Sequence, residues 1–147
     1  MFVPLKLDHI GFVVENIEKV KELFETVGLD AGTGAVVNPL QKVSASFVNV
    51  GEKDDIYIEI LEPASDDSPI TNFLRKSGGG LHHLCFEVDD IEKATQELNA
   101  KGFRMVTPPE NCTAYDENLK RECNAPTKIA FFIISKGVLI ELIEKGR

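Results

Sequence analysis

The chain has 147 residues, 43% of them apolar, which is enough to bury a core and too apolar for a disordered segment. Its formal net charge is −8 and its pI about 4.9, with no basic stripe, so neither nucleic acid nor an anionic membrane suits it as a partner. No apolar run approaches the roughly 20 residues a membrane-crossing helix needs, and the N-terminus enters a strand without a signal peptide's apolar stretch, so a cytoplasmic protein is expected. Leu5 to Val14 has strand character, with His9, Gly11 and Val13 on one face and Ile10, Phe12 and Val14 on the other. Asn16 is placed to cap a helix in which Ile17, Val20, Leu23, Phe24 and Val27 recur at helical spacing, and Gly28 ends it. Three strands are expected next, a weak one over Ala31 to Asn38, then Val43 to Val50 and Ile56 to Leu61, the last stopped by Pro63.

A linker leads to a short helix over 67–77, capped by Ser68 or Asp67 with Pro69 in its first turn. Gly78, Gly79 and Gly80 then reset the chain. A strand over Leu81 to Val88, a cap at Asp90, a helix over Ile91 to Ala100 and a short strand at Phe103 to Val106 follow. Pro108 to Asn124 reads as a long polar loop, and segments of that length in a small domain are usually functional or mobile. Lys128 to Ser135 and Val138 to Glu144 form a closing hairpin over Lys136 and Gly137. The three cysteines, Cys85, Cys112 and Cys123, show no C-x-x-C spacing, so neither a disulfide framework nor a thiolate zinc site is expected. Cys85 alternates with the core, while Cys112 and Cys123 fall in the polar loop.

The chain states one unit twice. A shift of 74 (83 − 9) lays His9 on His83, Phe12 on Phe86, Val14 on Val88, Ile17 on Ile91, Glu18 on Glu92, Lys19 on Lys93 and Gly28 on Gly102. A shift of 82 (141 − 59) lays the strand Tyr57–Glu62 on Leu139–Glu144, with Glu59 on Glu141. The class is therefore α+β: two paired βαβββ modules, about 5–63 and 81–145 in a single domain of 1–147, forming a curved mixed sheet around one cleft. Taken singly, each histidine or mid-strand glutamate has an ordinary explanation as a satisfied core or edge residue. As a two-fold set, His9, Glu59, His83 and Glu141 are two imidazoles and two carboxylates, a donor set for a divalent transition metal with open positions. A buried glutamate among isoleucines and leucines would otherwise cost several kcal/mol. His82 falls on Asp8 in the repeat, and alternation puts it opposite His83, which gives it a supporting role ahead of metal ligation.

The segments LDHIGFVVENIEKV, FVNVG, IEILEP, DSPITNFLRK, GGLHHLCFEVDDIEKA and KGVLIELIE resemble the vicinal oxygen chelate superfamily, which includes glyoxalase I, methylmalonyl-CoA epimerase, bleomycin-resistance proteins and extradiol dioxygenases. The resemblance covers nearly the whole chain and is nearest to the epimerase and epimerase-like glyoxalase branch. It implies a glyoxalase-like half-barrel cleft, usually in a homodimer, with His9, Glu59, His83 and Glu141 as ligands of Ni, Co, Zn or Mn. It further implies a small-molecule carbonyl or thioester substrate, with Glu141 as the catalytic base.

Inverting a carbon requires a proton-transferring group on each face. In the epimerases the second is a carboxylate in the loop before the third strand, and here that position is Leu40, which transfers no proton. Gln41 is no better, and Lys42 would serve only with a depressed pKa. This departure weighs against epimerisation and leaves a one-base isomerisation of the lactoylglutathione lyase type open. The alternative class is a non-catalytic protein that binds or sequesters a small molecule in the same cleft.

Overall fold

The structure is a computed structural model and describes residues 6–135 and 138–147. The elements are β1 (Lys6–Val13), α1 (Ile17–Thr26), β2 (Val36–Asn38), β3 (Val43–Val50), β4 (Ile56–Pro63), α2 (Pro69–Ser77), β5 (Gly80–Glu87), α3 (Ile91–Ala100), β6 (Arg104–Asn111), α4 (Thr113–Leu119), β7 (Lys128–Ser135) and β8 (Val138–Glu144). The expected strand start at Leu5 and the turn at Lys136 and Gly137 lie outside the described residues.

All eight strands form one mixed sheet in the order β2-β3-β4-β1-β5-β8-β7-β6. Within each module the first strand pairs parallel with the last, β1 with β4 and β5 with β8. The modules join where β1 and β5 run antiparallel. The sheet curls into a half-barrel. α4 follows β6 at one end of the strand order yet packs on β2 and β3 at the other, which a flat sheet could not allow.

Alternation along each strand sorts the side chains into two layers. On β4, Ile58 and Ile60 meet α1 with Ile17, Val20 and Phe24. On β7 and β8, Ala130, Phe132 and Leu142 meet α3 with Ile91 and Ala94. The opposite face, with Phe47, Cys85, Ile129, Phe131 and Ile143, is concave and packs under Ala114 and Tyr115 of α4. Truncating a fully buried ring such as Phe132 to alanine costs about 3–5 kcal/mol.

The duplication extends to the helix starts. Asn16 and Asp90 each accept the N3 amide, from Lys19 and Lys93 at 3.0 Å. Glu62 and Glu144, each at the end of a module's last strand, accept the first helical amide, Ile17 N–H and Ile91 N–H, both at 2.9 Å. A carboxylate there satisfies an orphan donor and sits at the positive end of the helix dipole. The linker helix is capped by Ser68 rather than Asp67, and Gly78 closes it with φ +74.

Two expectations are corrected. The weak strand over Ala31 to Asn38 shrinks to Val36–Asn38, because Gly32 takes φ +78 and Thr33 leaves the ladder to bond the Phe47 backbone through both its amide and its hydroxyl. The short strand at Phe103 to Val106 instead runs Arg104–Asn111, through Pro108 and Pro109. Prolines are tolerated there because β6 is an edge strand with an irregularity between Thr107 and Glu110. Thr113–Leu119 of the expected loop folds as α4, and 120–124 stays outside any helix or strand.

Candidate metal centre

The four donors stand on two rungs of the sheet. In one, Glu59 of β4 aligns with Gly11 of β1, which aligns with His83 of β5. In the other, Glu141 of β8 aligns with Cys85 of β5, which aligns with His9 of β1. Each rung thus carries a carboxylate and an imidazole two strands apart with a small residue between, and the duplication relates the rungs. The role of Gly11 is spatial: a Cβ there would lie 2.2 Å from His83 Cε1 and 2.5 Å from both ring nitrogens. The imidazole occupies the volume that any other residue's Cβ would take.

The donors converge. His9 Nε2 lies 3.3 Å from Glu59 Oε1 and 2.9 Å from Glu141 Oε1. His83 Nε2 lies 3.0 Å from Glu59 Oε1 and 3.3 Å from Glu141 Oε1. The two Nε2 atoms are 3.2 Å apart, and one ligand atom from each of the four residues falls within 4.8 Å of all the others. His9, His83 and Glu141 are 2%, 3% and 6% exposed.

Behind His9, Asp8 Oδ2 takes the Nδ1 hydrogen at 2.8 Å. Asp8 also accepts from Tyr115 Oη at 3.1 Å and pairs with Lys145 Nζ at 2.8 Å. Burial works to raise the Asp8 carboxyl, but these partners, His9 first, bring it down to about 2. For His9, burial works against charge, but neighbouring Cys85 first, then Asp8 and the close Glu141 carboxylate, hold the imidazolium well above its usual range. Burial likewise opposes ionisation of Glu59, and the two histidines outweigh it, keeping the carboxyl well below the usual range. The donors open onto one cavity of about 190 Å³, walled by apolar residues such as Val43, Leu61, Phe131 and Leu139.

Residues 8–121 match the Glyoxalase/Bleomycin resistance protein/Dioxygenase superfamily. The chain belongs to that superfamily. Methylmalonyl-CoA epimerase from Dictyostelium discoideum is 34% identical over 142 residues, 95% of this chain and 78% of that protein. The mouse enzyme of the same name is 39% identical over 142 residues, 93% of this chain and 71% of its own. Among solved structures, the Streptomyces coelicolor methylmalonyl-CoA epimerase in complex with 2-nitronate-propionyl-CoA superposes with a TM-score of 0.79 at 25% identity. That superposition covers 98% of this chain and 100% of the other.

The donor set of this superfamily member fits a divalent transition ion. Once His9 loses a proton, with Nδ1–H directed at Asp8, Nε2 presents its lone pair to the centre, the arrangement a carboxylate-oriented metal ligand needs. His83 reaches the same state through His82, whose Nδ1 lies 2.9 Å from His83 Nδ1. Burial, and then the neighbouring His83, lower His82 to about 4, so it stands neutral beside its neighbour. Glu141 Oε1 is buried with no aligned hydrogen-bond donor despite its short contact to His9, an orphaned acceptor facing the other three donors. Two imidazoles and two carboxylates on one point match borderline-soft divalent metals.

Expected positions and observed ones differ at the rim. Alternation alone places His82 away from His83, yet its ring lines the cavity and rests edge-on against Phe73. Leu40 is 72% exposed, while Gln41 lines the cavity. Lys42 takes φ +56 and is ion-paired with Asp67. Three residues escaped the sequence reading. Asp8 had only its adjacency to His9 as a signal. Cys112 and Tyr115 line the cleft from a segment that reads as loop. There the spacing of Ala114, Tyr115 and Asn118, all buried, was the available clue to a helix face.

Proposed function

We propose that the protein is a metal-dependent isomerase that moves a proton at the carbon next to a thioester carbonyl, acting on methylmalonyl-CoA or a close analogue. The observation that carries this is the convergence of His9, Glu59, His83 and Glu141 at the floor of an apolar cleft, in a chain whose relatives are methylmalonyl-CoA epimerases. A divalent cation such as Ni, Co, Zn or Mn, bound by these four residues, supplies Lewis-acid polarisation of the substrate carbonyl. The chain's own residues do the rest. Glu59 is ionised and shared between both imidazoles, which suits a fixed ligand. Glu141 keeps an acceptor oxygen free of hydrogen bonds in an apolar wall, which suits a base that takes the proton from carbon. Asp8 and His82 hold the two rings with Nε2 inward. The apolar lining excludes water, which strengthens each electrostatic contact inside.

A protein that merely sequesters a small molecule has no use for four converging donors, so the intact set favours the enzyme. Metal content of the protein purified without added ions tests the reading. Stoichiometric transition metal, lost in His83→Ala, is the expected result. A protein that takes up none after incubation with each ion overturns it. The hemithioacetal of methylglyoxal and glutathione, assayed alongside methylmalonyl-CoA, separates the lyase variant of the same chemistry. We extend the reading to a homodimer of single-domain chains in the cytoplasm. The two module faces complete one cleft, and no described helix is long and apolar enough to cross a membrane. Light scattering and cell fractionation are the checks.

A further inference from the structure

Epimerisation needs a proton donor on the face of the carbon away from Glu141, and the position where a carboxylate was sought, Leu40, projects into solvent. The amides of Asn38, Gln41 and Asn118 transfer no proton. Outside the four converging donors, the protic lining residues are His82, Thr107, Cys112 and Tyr115. His82 is tied through Nδ1 to His83. Tyr115 donates its hydroxyl hydrogen to Asp8, and a threonine hydroxyl is too weak an acid. That leaves Cys112 as the acid of suitable strength: its sulfur accepts from Asn38 Nδ2 at 3.8 Å, and no hydrogen bond among the described residues uses its S–H.

Its placement is specific. Cys112 is 9% exposed and joins β6 to α4, with its amide fixed to Thr127 O at 2.8 Å. Asn38 connects it to the Leu40 turn, because Asn38 Oδ1 accepts from Leu40 N at 3.0 Å and from Gln41 N at 3.3 Å. The thiol, contributed by the second module, is therefore linked through Asn38 to the Leu40 turn of the first module, and it lines the same cavity as Glu141 of β8. Two further acceptors in the same cavity, Glu141 Oε1 and Thr107 Oγ1, are buried without hydrogen-bond partners, which marks the space between them as built for a polar ligand.

We propose that Cys112 is the second proton-transferring residue, acting on the face of the substrate carbon opposite Glu141. This rests on the thioester-isomerase reading above. In one direction Glu141 takes the proton from carbon, and the C–H electron pair passes into the conjugated enolate. The S–H bond of Cys112 then breaks, its proton forms the new C–H bond on the other face, and its electron pair stays on sulfur. In the reverse direction the thiolate is the base and the Glu141 carboxyl the acid. Solvent water exchanges protons with both groups between turnovers. Burial, and next the charge of Glu141, push the thiol up to about 12, so at neutral pH it enters the cycle as S–H.

The test uses metal-loaded enzyme and each C2 epimer of methylmalonyl-CoA in heavy water, following both deuterium entry at C2 and interconversion of the epimers. Wild type should do both. Cys112→Ala should still exchange the C2 proton of one epimer at a rate within about threefold of wild type, with retention of configuration. Interconversion should fall by about 10²–10⁴-fold, the usual weight of a general acid or base. Cys112→Ser, nearly isosteric, should show the same split and covers any loss of stability in the alanine variant. Interconversion by both variants near the wild-type rate overturns the role of Cys112, as does equal loss of exchange and interconversion. A wild type that performs neither reaction refutes the isomerase reading itself.

Discussion

Gly11→Ala is a single methyl group aimed at the candidate metal centre. The added Cβ would sit 2.2 Å from His83 Cε1. Restoring ordinary carbon contact of 3.5–4.0 Å requires the ring to retreat by roughly 1.3–1.8 Å. The ring cannot do so freely. It lies edge-on against His9, His82 and Phe131, with centroids 5.2, 5.2 and 5.8 Å away. Gly11 does not have a positive φ, so alanine brings no backbone strain and the effect is steric. The strain of overpacking is about 1–3 kcal/mol. The larger effect is the withdrawal of Nε2 from the other three donors. Disturbing residues that merely orient a ligand usually weakens metal binding 10–100-fold, so at least about 100-fold is expected when the ligand itself is displaced. Isothermal titration with Co or Zn, beside the melting temperature of metal-free protein, separates the two effects. A Gly11→Ala protein that binds metal with the wild-type Kd would refute the placement of His83.

Two more outcomes follow from the electrostatics. Asp8 is held at about 2 against an ordinary 3.8, and at 1.36 kcal/mol per pH unit this contributes about 2 kcal/mol of stability. A depressed carboxyl stabilises above its unfolded value, so the contribution is complete above pH 3.8 and disappears as pH falls through about 2. Asp8→Asn should lose about 2 kcal/mol in denaturant melts at pH 7 and flatten the acid limb, and an unchanged limb contradicts the pairing. Metal binding should also release about one proton at neutral pH, because the imidazolium of His9 must become neutral to ligate. Affinity then rises about tenfold per pH unit while His9 is protonated. Titrations in two buffers of different ionisation enthalpy measure this, and zero proton release contradicts a protonated metal-free centre.

The site was legible because the duplication carries phase as well as identity. His9 and His83 each precede a matched phenylalanine by three residues, and Glu59 and Glu141 hold matched places in the last strand of each module. Strand alternation then turns all four the same way. The pairing of two modules around one cleft was legible from the same repeat, whereas the sheet order and the parallel pairing within each module come from the structure. What broke the repeat was hard to read. Pro108 and Pro109 look like loop residues, and only the edge position of β6 makes them tolerable in a strand. α4 spans seven residues and its start, Cys112, makes no side-chain cap, so the usual N-terminal signal is missing. Tyr115 meets Asp8 across 107 residues, a contact that no local pattern encodes. Leu40, at the position where a carboxylate was expected, is 72% exposed. Its replacement is sought in Cys112, which the fold brings in from the other module.

The most direct measurement is solvent deuterium entry at C2 of methylmalonyl-CoA, followed by NMR with metal-loaded wild type and Glu141→Gln. Glutamine preserves the shape of the side chain and removes its basic oxygen. The wild type should exchange the C2 proton with turnover. The variant should fall by about 10²–10⁴-fold while its melting temperature stays near that of the wild type. Exchange by Glu141→Gln at the wild-type rate would contradict the account, since the proton would then leave carbon without the carboxylate whose buried Oε1 has no hydrogen-bond partner among the described residues.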